Sequence, residues 1–160
     1  TRGQNRLVLG GSLHWIFQQI LVQYEHNCNS EKTLFMNCCV GLLIMPQQCA
    51  DHDKNISVDG LVDYENWGID TTKITANEHR KGVDKNSIEN IAYHIRNSIC
   101  HYRFDIMNCN VENIENIHIM DKSGDDVNAP ITFDLELSFD DFRKFVLKYA
   151  DKLEEKLTNS

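Results

Sequence analysis

Apolar residues recur at three- and four-residue steps from about Asn5 to about His26. Leu9, Leu13, Ile16, Phe17, Ile20, Leu21 and Tyr24 would share one wide face of a first helix. A polar break, Asn27 to Ser30, offers Ser30 as the N-cap of a second helix. That helix carries Leu34, Phe35, Met36, Cys38, Cys39, Val40, Leu42, Leu43, Ile44 and Met45 before Pro46 ends it. It is apolar nearly all the way round, as a helix in the middle of a bundle must be. From Gln47 to Lys85 the pattern dissolves into polar sequence with Gly60, Gly68, Gly82 and an isolated Trp67, which predicts a variable excursion holding a short helix.

Periodicity returns near Asn86, where Asn86-Ser87-Ile88-Glu89 has the form of a capping box and Ile88, Ile91, Ala92, Ile95 and Ile99 follow as a core stripe. Short strands are then expected at Phe104 to Cys109, at Ile114 to Met120, and at the alternating Ile131, Phe133, Leu135 and Leu137. Asp121 to Pro130 reads as the turn between the last two. Ser138 with Asp141 would cap a final helix with Phe142, Phe145, Val146, Tyr149, Leu153 and Leu157 on its apolar face. The expected fold is mainly α: a helical bundle with a small antiparallel β-hairpin or three-stranded patch before the C-terminal helix. One domain over 1–160, with the excursion at about 47–85, accommodates all of it.

Composition narrows the class without naming it. Hydrophobic residues make up 41% and charged residues 25% of 160 residues, which is ordinary globular usage. The net charge of −8 argues against a broad basic face that grips nucleic acid non-specifically, while leaving room for a small basic site. No secretory pattern opens the chain, and the most apolar run, about 12 residues from Leu34 to Met45, falls short of the roughly 20 a bilayer needs. A soluble, cytoplasmic protein with no membrane partner is expected. Six cysteines show no C-x-x-C pair, and Cys49 with His52 lacks a second ligand pair, so buried reduced thiols are expected and no metal or cofactor is. His14, His26, His79 and His118 show no ligand spacing. Asp125-Asp126 and Asp140-Asp141 read as a turn and a helix N-terminus.

Chemistry concentrates in the segment Ala92 to Phe104. On a helical wheel Asn97 and His101 lie opposite the isoleucine stripe, and Arg96 sits on the flank, about 140° from His101. An imidazole suits deprotonation of a ribose 2′-hydroxyl and protonation of the 5′-oxygen leaving group. A guanidinium suits the charge that builds on the phosphorane. One Arg and one His supply half of such a site, and a two-fold dimer of this helix would supply the rest. The plainer alternative is a surface Arg and a partly buried His near a helix end.

The segment Ile95-Arg96-Asn97-Ser98-Ile99-Cys100-His101 resembles the R-x4-H signature of HEPN domains, including the polar residue after the Arg. Met36-Asn37-Cys38-Cys39-Val40-Gly41-Leu42-Leu43-Ile44-Met45-Pro46 resembles the core helix of plasmid-encoded HEPN-family nucleases, in which a variable loop follows. Ile131-Thr132-Phe133 and the amphipathic C-terminal helix are similar to the same group. The resemblance implies an all-α core that dimerises through the motif helices, and an RNase leaving 2′,3′-cyclic phosphate and 5′-hydroxyl ends. His101 would be its acid–base residue, Arg96 its phosphate clamp and Asn97 a positioning residue. It also implies a toxin or a phage- and plasmid-defence role, with an antitoxin or regulatory protein as partner.

Two positions depart from the family pattern. Tyr102 stands where many nuclease members have Gly; it could narrow the site, stack a base or pack beside Phe104, and packing is the favoured reading. Arg103 stands where the nucleotidyltransferase-controlled toxins have Tyr, so that regulation is not expected. Arg103, Lys81 and Lys85 could add local positive potential around the site, and His94, on the polar flank, could line the same substrate groove as Tyr102 and Arg103, though solvated is its favoured reading. The rival reading is a catalytically silent HEPN module that binds RNA, a nucleotide or a protein partner.

Overall fold

The stretch expected to wander contributes a strand to the sheet. The computed structural model describes residues 37–39, 41, 43, 58–79, 81–107 and 116–158. Asp63 caps a one-turn helix, α1 (Tyr64–Trp67), by accepting from the Glu65 N–H at 3.1 Å. Gly68 ends that turn at φ 72, and a Cβ there would lie 2.5 Å from the Asp141 carbonyl oxygen. Glycine is therefore required both for the left-handed backbone and for the close approach. A 3-10 turn (Thr71–Lys73), capped by Asp70, leads into β1 (Ile74–Asn77).

The remaining elements follow in the order expected. They are α2 (Ile88–Cys100), β2 (Phe104–Met107), β3 (Asn116–Lys122), β4 (Ile131–Ser138) and α3 (Phe139–Thr158). The cap of α2 is Ser87, which accepts from the Asn90 N–H at 3.1 Å, so the helix starts one residue later than the capping-box reading placed it. Ser138 caps α3 as expected, accepting from the Asp141 N–H at 3.1 Å and donating to the Asp141 carboxylate at 2.8 Å.

The four strands form one sheet in the order β1-β4-β3-β2, with every neighbouring pair antiparallel. This corrects the mainly-α expectation. Among the described residues strand accounts for 26% against 45% helix, which is a mixed α/β fold rather than a bundle with a small patch. The difference arises from β1, which adds a fourth strand to the three expected. β1 is four residues long with no clean alternation, and becomes a strand by pairing Ile74 with Leu135 and Asn77 with Phe133 on β4. Lys122 still pairs with Ile131, so the turn begins after residue 122 rather than at Asp121.

By internal contacts the chain divides into two compact units, Asp59–Phe145 and Thr1–Val58 with Val146–Ser160, and the division falls within α3. In the first unit α2 lies against β3, and the expected stripe Ile88, Ile91, Ala92, Ile95 and Ile99 is buried with Ile117, Ile119, Phe133 and Leu135 of the sheet. Trp67, which the sequence left without a partner, is buried with its ring centroid 5.9 Å from that of Phe145. Lys144 Nζ donates to the Glu65 carbonyl, a second tie between α1 and the start of α3. In the other unit Cys38, Cys39, Leu43, Val146, Tyr149 and Leu153 are buried.

The expected first helix, most of the second, Cys28, Cys49 and Cys109 lie outside the described residues, as does the side chain of Leu157. Cys38 and Cys39 are the buried reduced thiols expected, and burial pushes both pKa values up; Cys100 departs from that expectation by being exposed. No helix among the described residues is long and apolar enough to cross a membrane.

Candidate active site

A second stripe runs along α2, and it is polar. Asn90, His94, Asn97 and His101 recur at steps of four, three and four, so they line one flank of the helix. Each finds a partner in the sheet or its loops. Asn90, fully buried, donates to the carbonyls of Glu78 and Lys85, both at 3.1 Å, and to Asn77 Oδ1 at 3.2 Å. His94 donates from Nδ1 to Asp121 Oδ2 at 2.8 Å and from Nε2 to the Glu78 carbonyl at 2.9 Å. Asn97 Nδ2 donates to the same Asp121 Oδ2 at 3.3 Å.

His94 is thus neither solvated nor lining a groove, which corrects its sequence reading. It is 4% exposed and stacked on Phe133 with ring centroids 4.9 Å apart. Its two ring nitrogens face a carboxylate oxygen and a backbone carbonyl. Burial pushes the Asp121 carboxyl up, but hydrogen bonds from His94, the Lys122 N–H and Asn97 outweigh it and hold its pKa below the ordinary 3.8.

Arg103 was expected to lend positive potential to a substrate. Instead its guanidinium is engaged from four sides. Nη1 donates to Asp121 Oδ1 at 3.3 Å and to the Lys122 carbonyl at 3.4 Å; Nη2 donates to the Gly124 carbonyl at 2.7 Å and to Asp125 Oδ1 at 2.8 Å. Its planar fork joins β2 to the β3–β4 hairpin. Lys81 and Lys85 are exposed and make no side-chain hydrogen bond or ion pair with these residues.

His101 is the C-cap of α2, and its side chain is half-exposed, with Nδ1 3.2 Å from Asp125 Oδ1. Among the described residues Nε2 has no partner. The helix ends in a Schellman arrangement: the Arg103 N–H donates to the Ser98 carbonyl at 2.8 Å and the Tyr102 N–H to the Ile99 carbonyl at 3.2 Å. Tyr102 occupies the left-handed position of that motif, φ 53, where glycine carries no steric penalty. Its ring does not pack beside Phe104 as expected; the residue is 85% exposed.

Arg96 lies off this polar stripe, on the opposite flank of α2, and makes no hydrogen bond to His101 or Asn97 among the described residues. Its Nη1 is buried without a hydrogen-bond partner there, an unusual state for a guanidinium nitrogen. The structure therefore links Asn97, His94, Arg103 and His101 through Asp121 and Asp125, and leaves Arg96 outside that network. The two aspartates are what sequence reasoning missed. No three His, Cys, Asp or Glu residues among those described are grouped so as to hold a metal ion.

A family model described as HEPN pEK499 p136 matches residues 4–160. The chain belongs to that HEPN family. Membership supports a HEPN-type ribonuclease or nucleotide-binding module at the level of the family, which is generally associated with RNase activity. No curated protein and no solved structure matches the chain. Arg96 and His101, the R-x4-H pair of the sequence, lie within the matched residues, and the turn that ends α2 would suit glycine at position 102.

Proposed function

We propose that this HEPN protein is a metal-independent endoribonuclease that acts as a homodimer through α2. The observation that carries the reading is the state of His101: at the open end of α2, with Nδ1 facing a carboxylate and Nε2 uncommitted among the described residues. An imidazole so placed takes the proton of a ribose 2′-hydroxyl. The 2′-oxygen bonds to phosphorus, the bond from phosphorus to the 5′-oxygen breaks, and a second imidazole protonates that oxygen. The products are a 2′,3′-cyclic phosphate and a 5′-hydroxyl. The second imidazole is the partner protomer's copy of the same residue, so the site is complete only in the dimer.

Arg96, the other position of the R-x4-H pattern, clamps the phosphate through its guanidinium. Asn97 and His94 act from behind the site by fixing Asp121. Tyr102, exposed beside His101, stacks a base of the RNA, which needs an aromatic face rather than a packed ring. Arg103 holds the hairpin and does not bind substrate. A cytoplasmic toxin or phage- and plasmid-defence role, restrained by an antitoxin or regulatory protein, is the biology that fits such an enzyme.

A second reading draws on the acidic hairpin. Asp125 and Asp126 stand on the turn that reaches His101, and two carboxylates repel a phosphate. That favours a catalytically silent HEPN module binding a nucleotide, RNA or protein partner. Cleavage of RNA in EDTA by wild type, His101→Ala and Arg96→Ala separates the readings. Cyclic-phosphate ends lost in both variants support the nuclease; cleavage absent, or indifferent to both changes, supports the silent module.

A further inference from the structure

We infer that Asp125 is the positioning carboxylate of His101, fixing which ring nitrogen carries the proton; this rests on the ribonuclease reading above. Asp125 Oδ1 lies 3.2 Å from His101 Nδ1 and accepts from Arg103 Nη2 at 2.8 Å. The Asp125 side chain is 80% exposed, and a lone carboxylate in that setting would rotate freely and be screened by water. Arg103 prevents this. Its side chain is 15% exposed and held by Asp121, Lys122 and Gly124, so the nitrogen offered to Asp125 has a fixed place.

An ionised carboxylate oxygen only accepts hydrogen bonds. A ring nitrogen facing it at this distance presents an N–H rather than a lone pair. The neutral His101 then carries its proton on Nδ1 and its lone pair on Nε2, the nitrogen without a partner among the described residues and the one a general base must use. The 3.2 Å separation is longer than a tight hydrogen bond, and such contacts shorten when substrate fills the site. The same carboxylate stabilises the imidazolium that forms once the 2′-hydroxyl proton has been taken.

The neighbouring aspartate makes the contrast. Asp126 Oδ1 accepts from the Asn128 N–H at 2.7 Å, so it shapes the turn, and among the described residues it makes no hydrogen bond or ion pair with His101. Two adjacent carboxylates on one hairpin have divided tasks, and only the first acts through the site.

The test uses Asp125→Asn, Asp125→Glu and Asp126→Asn in the full chain, each checked for an unchanged melting curve. Two readouts are taken: the ring nitrogen-15 shifts of His101, which report the tautomer without any need for activity, and single-turnover RNA cleavage. The expected result is a neutral His101 protonated at Nδ1 in wild type, with that preference lost in Asp125→Asn. Cleavage by Asp125→Asn should fall about tenfold with KM within about twofold. Asp125→Glu should restore the tautomer and most of the rate, and Asp126→Asn should match wild type in both. A tautomer unchanged in Asp125→Asn, or an equal loss in Asp126→Asn, overturns the inference. Should the wild type cleave no RNA, the nuclease reading falls while the nitrogen-15 comparison still decides the role of Asp125.

Discussion

His94 Nδ1 and Asp121 Oδ2 meet at 2.8 Å with side chains 5% and 3% exposed, so α2 is joined to β3 by a hydrogen-bonded pair shut away from water. Such a pair is weak evidence for net stability, but removing one partner strands the other charge. Asp121→Ala would leave His94 and Arg103 without their shared acceptor. It should cost about 3–5 kcal/mol in urea unfolding. Pairing it with His94→Leu should recover part of that loss, giving a coupling of at least about 1 kcal/mol, whereas strict additivity would mean that the two groups do not act as a unit.

The same aspartate sets a pH dependence. Its folded pKa lies below the ordinary 3.8, so the unfolded chain binds its proton first as pH falls. The stability contributed is fully present above the ordinary value and is lost as pH descends through the folded one. Urea midpoints measured from pH 6 down to pH 2.5 should therefore drop steeply below about pH 4 in wild type. Asp121→Asn should start lower and fall less steeply over the same interval. Parallel curves would assign the acid sensitivity to other carboxylates.

How far these features were legible depends on whether a neighbour in sequence or a partner far along the chain decides them. The isoleucine stripe of α2, the alternation of β4 and the Ser138 cap are local patterns, and burial follows them directly. β1 is different: Ile-Thr-Ala-Asn has no periodicity to speak of, and β4 makes it a strand. His94 read as solvated because a polar residue is presumed exposed until its acceptors are known, and Asp121 and Glu78 lie far from it in sequence. One signal was present. Asn90, His94, Asn97 and His101 at helical spacing form a polar row of their own, and so regular a row on a helix packed against a sheet calls for polar partners. The acidic partners themselves, Asp121 near the end of β3 and Asp125 on the hairpin turn, carried no such mark.

Gly68 offers a test of the α1–α3 junction that is independent of the site. A methyl group there meets the Asp141 carbonyl at 2.5 Å, backbone against backbone, and the residue sits at φ 72. Gly68→Ala should destabilise by about 2 kcal/mol or more, since neither strain can be relieved by a side-chain rotation. Gly82→Ala, at φ 83 but with open space around its Cβ position, should cost less because only the backbone term applies. Equal losses in thermal or urea unfolding would show that the close approach to Asp141 does not matter.

Tyr102 sets stability against function in a single residue. It takes the left-handed place in the turn that ends α2, and its ring meets solvent rather than the core. Neither the backbone nor burial explains a tyrosine there, since glycine would serve the turn better and an exposed ring contributes no apolar burial. Tyr102→Gly should therefore raise stability by about 1 kcal/mol. If the ring stacks a base, the same change should raise KM for RNA severalfold while kcat changes little, because the contact is made equally in ground and transition states. Tyr102→Trp keeps the aromatic face and should keep the affinity without the stability gain. A glycine variant that is more stable and binds RNA as well as wild type would remove Tyr102 from the substrate site, and leave its strain without a function.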